Sequence, residues 1–241
     1  QVFLPAGYQP GDSLPLVINL HGLGSDNFQQ TVYSEFTQVA DTAGFITVHP
    51  QGLEADVFGN YTTHWNANWA TGVDDIGFIR KMIDRIHYDY GIDLSRVYST
   101  GMSNGGYMSY VLACEMSDKI AAIASVTGAF NTNTANACSP GRPVPVMEIH
   151  GTADDVVPYN GNAYQLSSRA GIEWWANFNN CDTSAKTFEN LPNTNTVDNC
   201  TAELETYPDC DAGTEVHFYT IVNGSHTWPG AFSAVSYTHL T

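Results

Sequence analysis

The run Val97-Tyr98-Ser99-Thr100-Gly101-Met102-Ser103-Asn104-Gly105-Gly106 decides how the rest of the chain is read. Its first part, Arg96–Thr100, is short and apolar and reads as a strand, whereas Gly106–Met116 reads as a helix. Between them lies G-x-S-x-G. Alone the pattern is weak, because three common residues at fixed spacing recur by chance. Its setting strengthens it. Gly101 and Gly105 permit a tight strand-to-helix turn that lifts Ser103 Oγ clear of a sheet edge. The helix N-terminus behind it favours developing negative charge. The competing reading is a glycine-rich turn with an idle serine.

Working outward, strands and helices alternate. Leu14–Leu20 reads as a buried strand, with Pro15 near its start where a missing N–H is tolerated. Residues from about Gln30 to Ala43 place Tyr33, Phe36, Ala40 and Ala43 on one helical face, with Gly44 as the stop. Phe45–His49 is the next strand. A second helix starts near Asp74 and Asp75, carries Ile76, Ile79, Ile83 and Ile86 inward, and ends at Gly91. Further strands are expected at Ile120–Val126, Val144–Ile149 and Glu215–Val222, and a helix over about Tyr164–Phe178. Such alternation implies an α/β fold, a mainly parallel sheet with helices on both faces, in one domain spanning 1–241. Right-handed crossovers put the strand-end loops on one edge. Two segments break the rhythm: Gln51–Val73, an aromatic-rich loop expected to border the site, and Asn179–Gly213, expected to be a surface excursion.

Composition excludes several classes. The chain has 25 acidic and 8 basic residues for a net charge of −17, a field that repels nucleic acid and anionic membranes. No apolar run approaches the roughly 18 residues of a spanning helix. The five cysteines and eight histidines form neither CxxC nor HExxH, so no metal site is expected.

A serine nucleophile needs a base, and the base an orienting acid, in the chain order Ser, acid, His for this kind of turn. Past Val144–Ile149 comes His150-Gly151-Thr152-Ala153-Asp154-Asp155; past Glu215–Val222 comes Gly224-Ser225-His226-Thr227-Trp228. Asp154 is the acid, with Asp155 as rival, and His226 is the base. His21 and His150 are expected to pack at strand exits. For an oxyanion hole the backbone N–H groups of Asn104 and Leu23 are the candidates, the latter flanked by glycines in His21-Gly22-Leu23-Gly24-Ser25. Trp65 and Trp228 are candidate substrate contacts, with plain packing as the alternative.

Together, LHGLGS (20–25), TGMSNGGYM (100–108), HGTADDVVPY (150–159) and GSHTWPG (224–230) resemble the α/β-hydrolase esterases related to polyhydroxybutyrate depolymerases, feruloyl esterases and acetylxylan esterases. The resemblance runs nearly the whole chain and includes Trp65-Asn66 and Val73-Asp74-Asp75-Ile76-Gly77-Phe78. It implies Ser103, Asp154 and His226 as a triad, no cofactor, and a disulfide-bonded, exported enzyme. It also implies a strand before Leu14 and a helix after His226. The chain begins at Gln1 and stops 15 residues past His226, with a tail, Val235–Thr241, unlike that helix, so these terminal elements are expected to be missing.

The function expected is serine carboxylic-ester hydrolysis of short-chain, feruloyl- or acetyl-sugar, or hydroxyalkanoate esters, on plant cell-wall polysaccharide or polyester, by a monomer. The alternatives are a serine peptidase of the same fold and a non-catalytic carbohydrate-binding protein using Trp65, Trp69 and Trp228. Because Asn179–Gly213 offers little apolar surface, Cys181–Cys210 is expected to staple it; Cys114–Cys138 could form a second bridge, leaving Cys200 odd. Disulfides fit a secreted or periplasmic location. The absence of a leader before Gln1 says nothing about destination.

Overall fold

Ile46, Thr47 and Val48 are buried in succession, as are Ile18, Asn19 and Leu20. Neighbouring strand residues point to opposite faces, so these strands are covered on both sides. A computed structural model describes residues 1–231 and shows how that cover is built. The Val235–Thr241 tail lies outside the described residues.

The strands are β1 (Val2–Phe3), β2 (Leu16–Leu20), β3 (Ile46–Val48), β4 (Leu53–Val57), β5 (Asn60–His64), β6 (Val97–Met102), β7 (Ala122–Val126), β8 (Val146–Gly151), β9 (Thr187–Asn190), β10 (Thr201–Tyr207) and β11 (Val216–Val222). The helices are α1 (Asn27–Ser34), α2 (Phe36–Ala43), α3 (Asp75–Tyr90), α4 (Asn104–Glu115), α5 (Thr132–Ala137) and α6 (Ser168–Phe178). Nine strands form one sheet in the order β1-β3-β2-β6-β7-β8-β11-β10-β9, and β4 and β5 form a separate hairpin. From β3 to β11 every pairing is parallel; the β1–β3, β11–β10 and β10–β9 pairings are antiparallel. The carboxyl ends of β2, β6, β8 and β11 therefore share one edge. This is the α/β-hydrolase architecture.

Helix α4 sits at the centre, buried along nearly its whole length and packed against β6 and β7. Helix α3 buries Ile79, Ile83 and Ile86 and is closed by Asp74, whose carboxylate accepts from Gly77 N at 2.8 Å, and by Gly91 in the left-handed region.

Four expectations change. The single helix over Gln30–Ala43 is two, because Glu35 adopts φ 49°, ending α1 and opening α2. The break lets α1 turn polar residues inward: Asn19 Nδ2 donates to Ser34 Oγ at 2.9 Å and Gln30 Nε2 donates to Asn19 Oδ1 at 2.8 Å. Gln51–Val73 holds the β4–β5 hairpin rather than a plain loop. Asn179–Gly213 holds β9 and β10, which extend the main sheet. Finally, a short strand, β1, does precede Leu14, pairing antiparallel with β3.

Two disulfides, Cys114–Cys138 and Cys181–Cys210, are closed, and Cys200 is a free thiol. The second spans 29 residues and ties the end of α6 to the end of β10. On the chain-entropy model a loop of that length contributes about 3–4 kcal/mol. Denaturant titration of Cys181→Ser/Cys210→Ser should show a loss of that size, and non-reducing peptide mapping should recover both bridges with Cys200 alkylated.

Candidate active site

Strand β6 ends at Met102 and α4 begins at Asn104, so Ser103 alone makes the turn. Its backbone lies at φ 54°, ψ −118°, a conformation that costs a non-glycine residue about 1–3 kcal/mol. It is over-determined by its neighbours: Ser103 N donates to Val126 O at 2.9 Å and Tyr107 N donates to Ser103 O at 3.0 Å. The flanking glycines serve a different purpose from the one expected. Neither Gly101 nor Gly105 has positive φ. A Cβ on Gly105 would strike the Leu20 carbonyl, and one on Gly101 would lie 2.7 Å from Leu20 O. They let the end of β2 lie directly against the turn, and the strain falls on the serine.

Asp154 and His226 come from the loops after β8 and β11. Those loops touch backbone to backbone: Thr152 N donates to Ile221 O and Ala153 N to Gly224 O, both at 2.9 Å. A side chain on Gly151 would collide with the Gly224 carbonyl. His226 Nδ1 lies 2.8 Å from Asp154 Oδ2, and both side chains are almost fully buried. The other carboxylate oxygen accepts from Val156 N at 3.0 Å and Val157 N at 2.8 Å, which fixes its plane. Asp155, the rival, is exposed.

Behind Asp154 stands His150, which is fully buried. Its Nδ1 lies 2.8 Å from Glu148 Oε1, and its Nε2 lies 2.8 Å from Val157 O and 3.3 Å from Asp154 Oδ2. Tyr110 OH donates to Glu148 Oε2 at 2.8 Å. Burial pulls the His150 imidazolium down, but its bonds to Asp154 and Glu148 outweigh that and push its pKa up to about 10. Burial likewise acts to raise Asp154, and the bonds from His150 and His226 overcome it, holding the carboxyl well below the usual carboxylate range.

The Gly22–Ser25 loop lies over the turn. A Cβ on Gly22 would sit 3.5 Å from Ser103 Cβ, and Leu23 is 46% exposed beside it. The β4–β5 hairpin pins this loop: Gly24 N donates to Thr63 O at 2.9 Å and Thr63 Oγ1 to Ser25 O at 2.7 Å. The Asn104 side chain clamps the Trp65 backbone from both sides, accepting from Trp65 N at 2.6 Å and donating to Trp65 O at 2.9 Å. Asp75 accepts from Asn66 N at 2.6 Å.

Trp65 itself is fully buried, 5.0 Å from the His21 ring, with Nε1 donating to His21 O at 3.0 Å. It packs beneath the His21–Ser25 loop and offers no face to a substrate, which corrects the expected contact. Trp228 is half-buried edge-on to Phe36. Sequence reading missed Glu148 and the Asn104 side chain. Glu148 carried a signal: a carboxylate in an apolar strand, two residues before a histidine, must share that histidine's face. Among the described residues no cluster of His, Cys, Asp and Glu is grouped to hold a metal ion, and no helix is long and apolar enough to cross a membrane.

Fold and site together define an α/β hydrolase. The sequence pattern of the Phospholipase/Carboxylesterase family matches residues 10–191, more than half of the chain, and the chain belongs to that family. It is 30% identical over 227 residues to a bifunctional acetylxylan esterase/xylanase from Neocallimastix patriciarum, covering 94% of this chain and 30% of that protein. It is 30% identical over 239 residues to feruloyl esterase B from Piromyces equi, covering 93% of this chain and 42% of that protein. The chain thus spans less than half the length of these relatives. Among solved structures it is similar to an acetyl xylan esterase from Aspergillus awamori, with TM-score 0.65 and 16% identity over 95% of this chain and 88% of that one. A ferulic acid esterase from Anaeromyces mucronatus matches with TM-score 0.60 and 17% identity over 94% and 78%. At these identities the structural likenesses support the fold.

Two measurements probe the site. Asn104→Ala would leave the buried N–H and C=O of Trp65 unpaired, at about 1–3 kcal/mol for each group. Urea unfolding should show a loss of roughly 2–4 kcal/mol, about two such groups net of relaxation. The pH dependence of stability follows from the two shifts. The raised His150 contributes stability that is complete below its ordinary value near 6.5 and is lost as pH climbs through about 10. The depressed Asp154 contributes stability that is complete above its ordinary value near 3.8 and is lost as pH falls below it. Stability measured from pH 3 to 10 should therefore fall on both sides of a plateau at about pH 5–6.5.

Proposed function

We propose that the protein is a serine carboxylic-ester hydrolase acting through an acyl-enzyme. The observation that carries this is the pairing of His226 with a buried Asp154 on the sheet edge where Ser103 is held on a strained turn. Ser103 Oγ attacks the ester carbonyl carbon while His226 Nε2 takes its proton and Asp154 holds Nδ1–H. The N–H groups of Leu23 and Asn104 receive the oxyanion. His226 then protonates the departing alcohol. Water attacks the acyl carbon with His226 again as base, releasing the acid and restoring Ser103.

The relatives' names support an acetylated or feruloylated sugar ester as substrate, on plant cell-wall polysaccharide. Exposed apolar side chains available to such a substrate are Leu23 on the loop over Ser103, Phe28 on the helix that follows it, and Phe58 and Tyr61 on the hairpin that holds that loop. Trp228 can contribute as well. The two disulfides support an extracellular setting. A peptidase reading has no comparable support, and a purely carbohydrate-binding role leaves the Asp154–His226 pair and the strained serine unexplained.

Release of p-nitrophenol from its acetate or butyrate ester should fall at least about a thousandfold in Ser103→Ala. Full activity in that variant would overturn the assignment. Turnover of p-nitroanilides should be negligible beside that of the esters. Across ethyl ferulate, acetylated xylan and hydroxybutyrate oligomers, the highest kcat/KM is expected on one of the first two.

A further inference from the structure

Asp154 serves two histidines, and only one of them belongs to the proposed reaction. The second, His150, meets oxygen at both ring nitrogens: Glu148 Oε1 at Nδ1, and Val157 O with Asp154 Oδ2 at Nε2. A neutral imidazole has one N–H and one bare lone pair. With Glu148 and Asp154 both ionised, it would aim that lone pair at an oxygen in a fully buried setting. A doubly protonated ring satisfies every partner. Glu148 is held in turn by the Tyr110 hydroxyl from α4.

We propose that His150 is a positioning residue of this site, a buried cation that fixes Asp154 between two imidazoles in the chain Glu148–His150–Asp154–His226. The proposal rests on the assignment of Asp154 and His226 as the acid–base pair. Its consequence is electrostatic. At rest the chain carries two carboxylates and one cation, a net charge of −1. When His226 takes the serine proton the signs alternate along its length and the net charge becomes zero. Without the His150 charge, Glu148 and Asp154 would stand as two buried carboxylates with no cation between them, and Glu148, whose carboxyl burial already pushes up, would take up a proton. With it, both carboxylates stay ionised and Asp154 is held in plane, while its acceptor strength toward His226 is moderated because Oδ2 already faces a cation.

The groups facing His150 are Glu148 on its own strand, Asp154 and the Val157 carbonyl from the following loop, the Tyr159 ring 6.0 Å away, and the uncharged Thr220 registered beside it on β11. Its raised pKa agrees with this surrounding.

The test has two arms. In the wild-type chain labelled with 15N-histidine, NMR at pH 7.5 should show both His150 ring nitrogens protonated, with no titration until above about pH 9. A ring that is neutral at pH 7.5 overturns the proposal, whatever the enzyme hydrolyses. In the second arm, His150→Gln is assayed on p-nitrophenyl acetate. The expected result is a kcat lower by about tenfold at unchanged KM. The acid limb of kcat/KM should move to higher pH by about half a unit to one unit, because Asp154 then stabilises the His226 cation undivided. A folded variant with wild-type kcat and an unmoved acid limb would show that His150 only packs. If the variant does not fold, the NMR arm still decides. Failure of the esterase reading shows separately, as full activity in Ser103→Ala.

Discussion

The close approach of the end of β2 to the turn after β6 governs the geometry of the whole site. Leu20 O lies where a side chain on either Gly101 or Gly105 would stand. That contact leaves one residue, Ser103, to reverse the chain, and it does so at φ 54°. Sheet and helix hold it there through backbone hydrogen bonds at its N–H and C=O. The same contact brings the Gly22–Ser25 loop over the serine. Strain of this kind persists only where the surroundings over-determine it, and here the surroundings are β7, through Val126, and the almost wholly buried helix α4, through Tyr107.

A second constraint is the price of buried charge. Glu148, His150 and Asp154 are all fully or nearly fully inside, and each isolated ion would cost several kcal/mol to desolvate. They are tolerable because every oxygen and nitrogen named has a partner, from Tyr110 at one end to Val156 and Val157 at the other. Such an arrangement contributes little net stability compared with an apolar core of equal volume. Its benefit is geometric: one carboxylate is held in one plane at 2.8 Å from His226 Nδ1.

The parts of this structure that were legible in the sequence are those governed by local rules. The strand–turn–helix around Ser103, the isoleucine stripe of α3, and the placing of Asp154 and His226 just past strand ends follow from periodicity and from the topology of parallel sheets. What was not legible depended on partners distant in sequence. Glu35 breaks the helix, and the break goes with the meeting of the polar Gln30 and Ser34 with Asn19 across the fold. Trp65 looks like a surface aromatic in its loop, yet Asn104, 39 residues later, draws it inside. The strands β9 and β10 are polar, and nothing in their composition announces a sheet. They become one because β11 offers an edge to pair with.

That last point bears on why His226 is well held. Strand β11 ends only four residues before it, and as the final parallel strand it would otherwise be an edge, where backbone pairing is weakest and most open to other chains. Strand β10 covers it over seven residue pairs, from Thr201 with Val222 to Tyr207 with Val216. At the His226 end, Asn223 Nδ2 donates to Asn199 O at 2.9 Å. At the other end, the Cys181–Cys210 bridge ties the exit of β10 to α6, which packs on β8 and β11. The polar excursion therefore forms the outer wall of the strand that positions His226. Its few apolar contacts are compensated by a covalent tie placed far from the chemistry, so the wall is anchored without crowding the edge where Ser103, Asp154 and His226 stand.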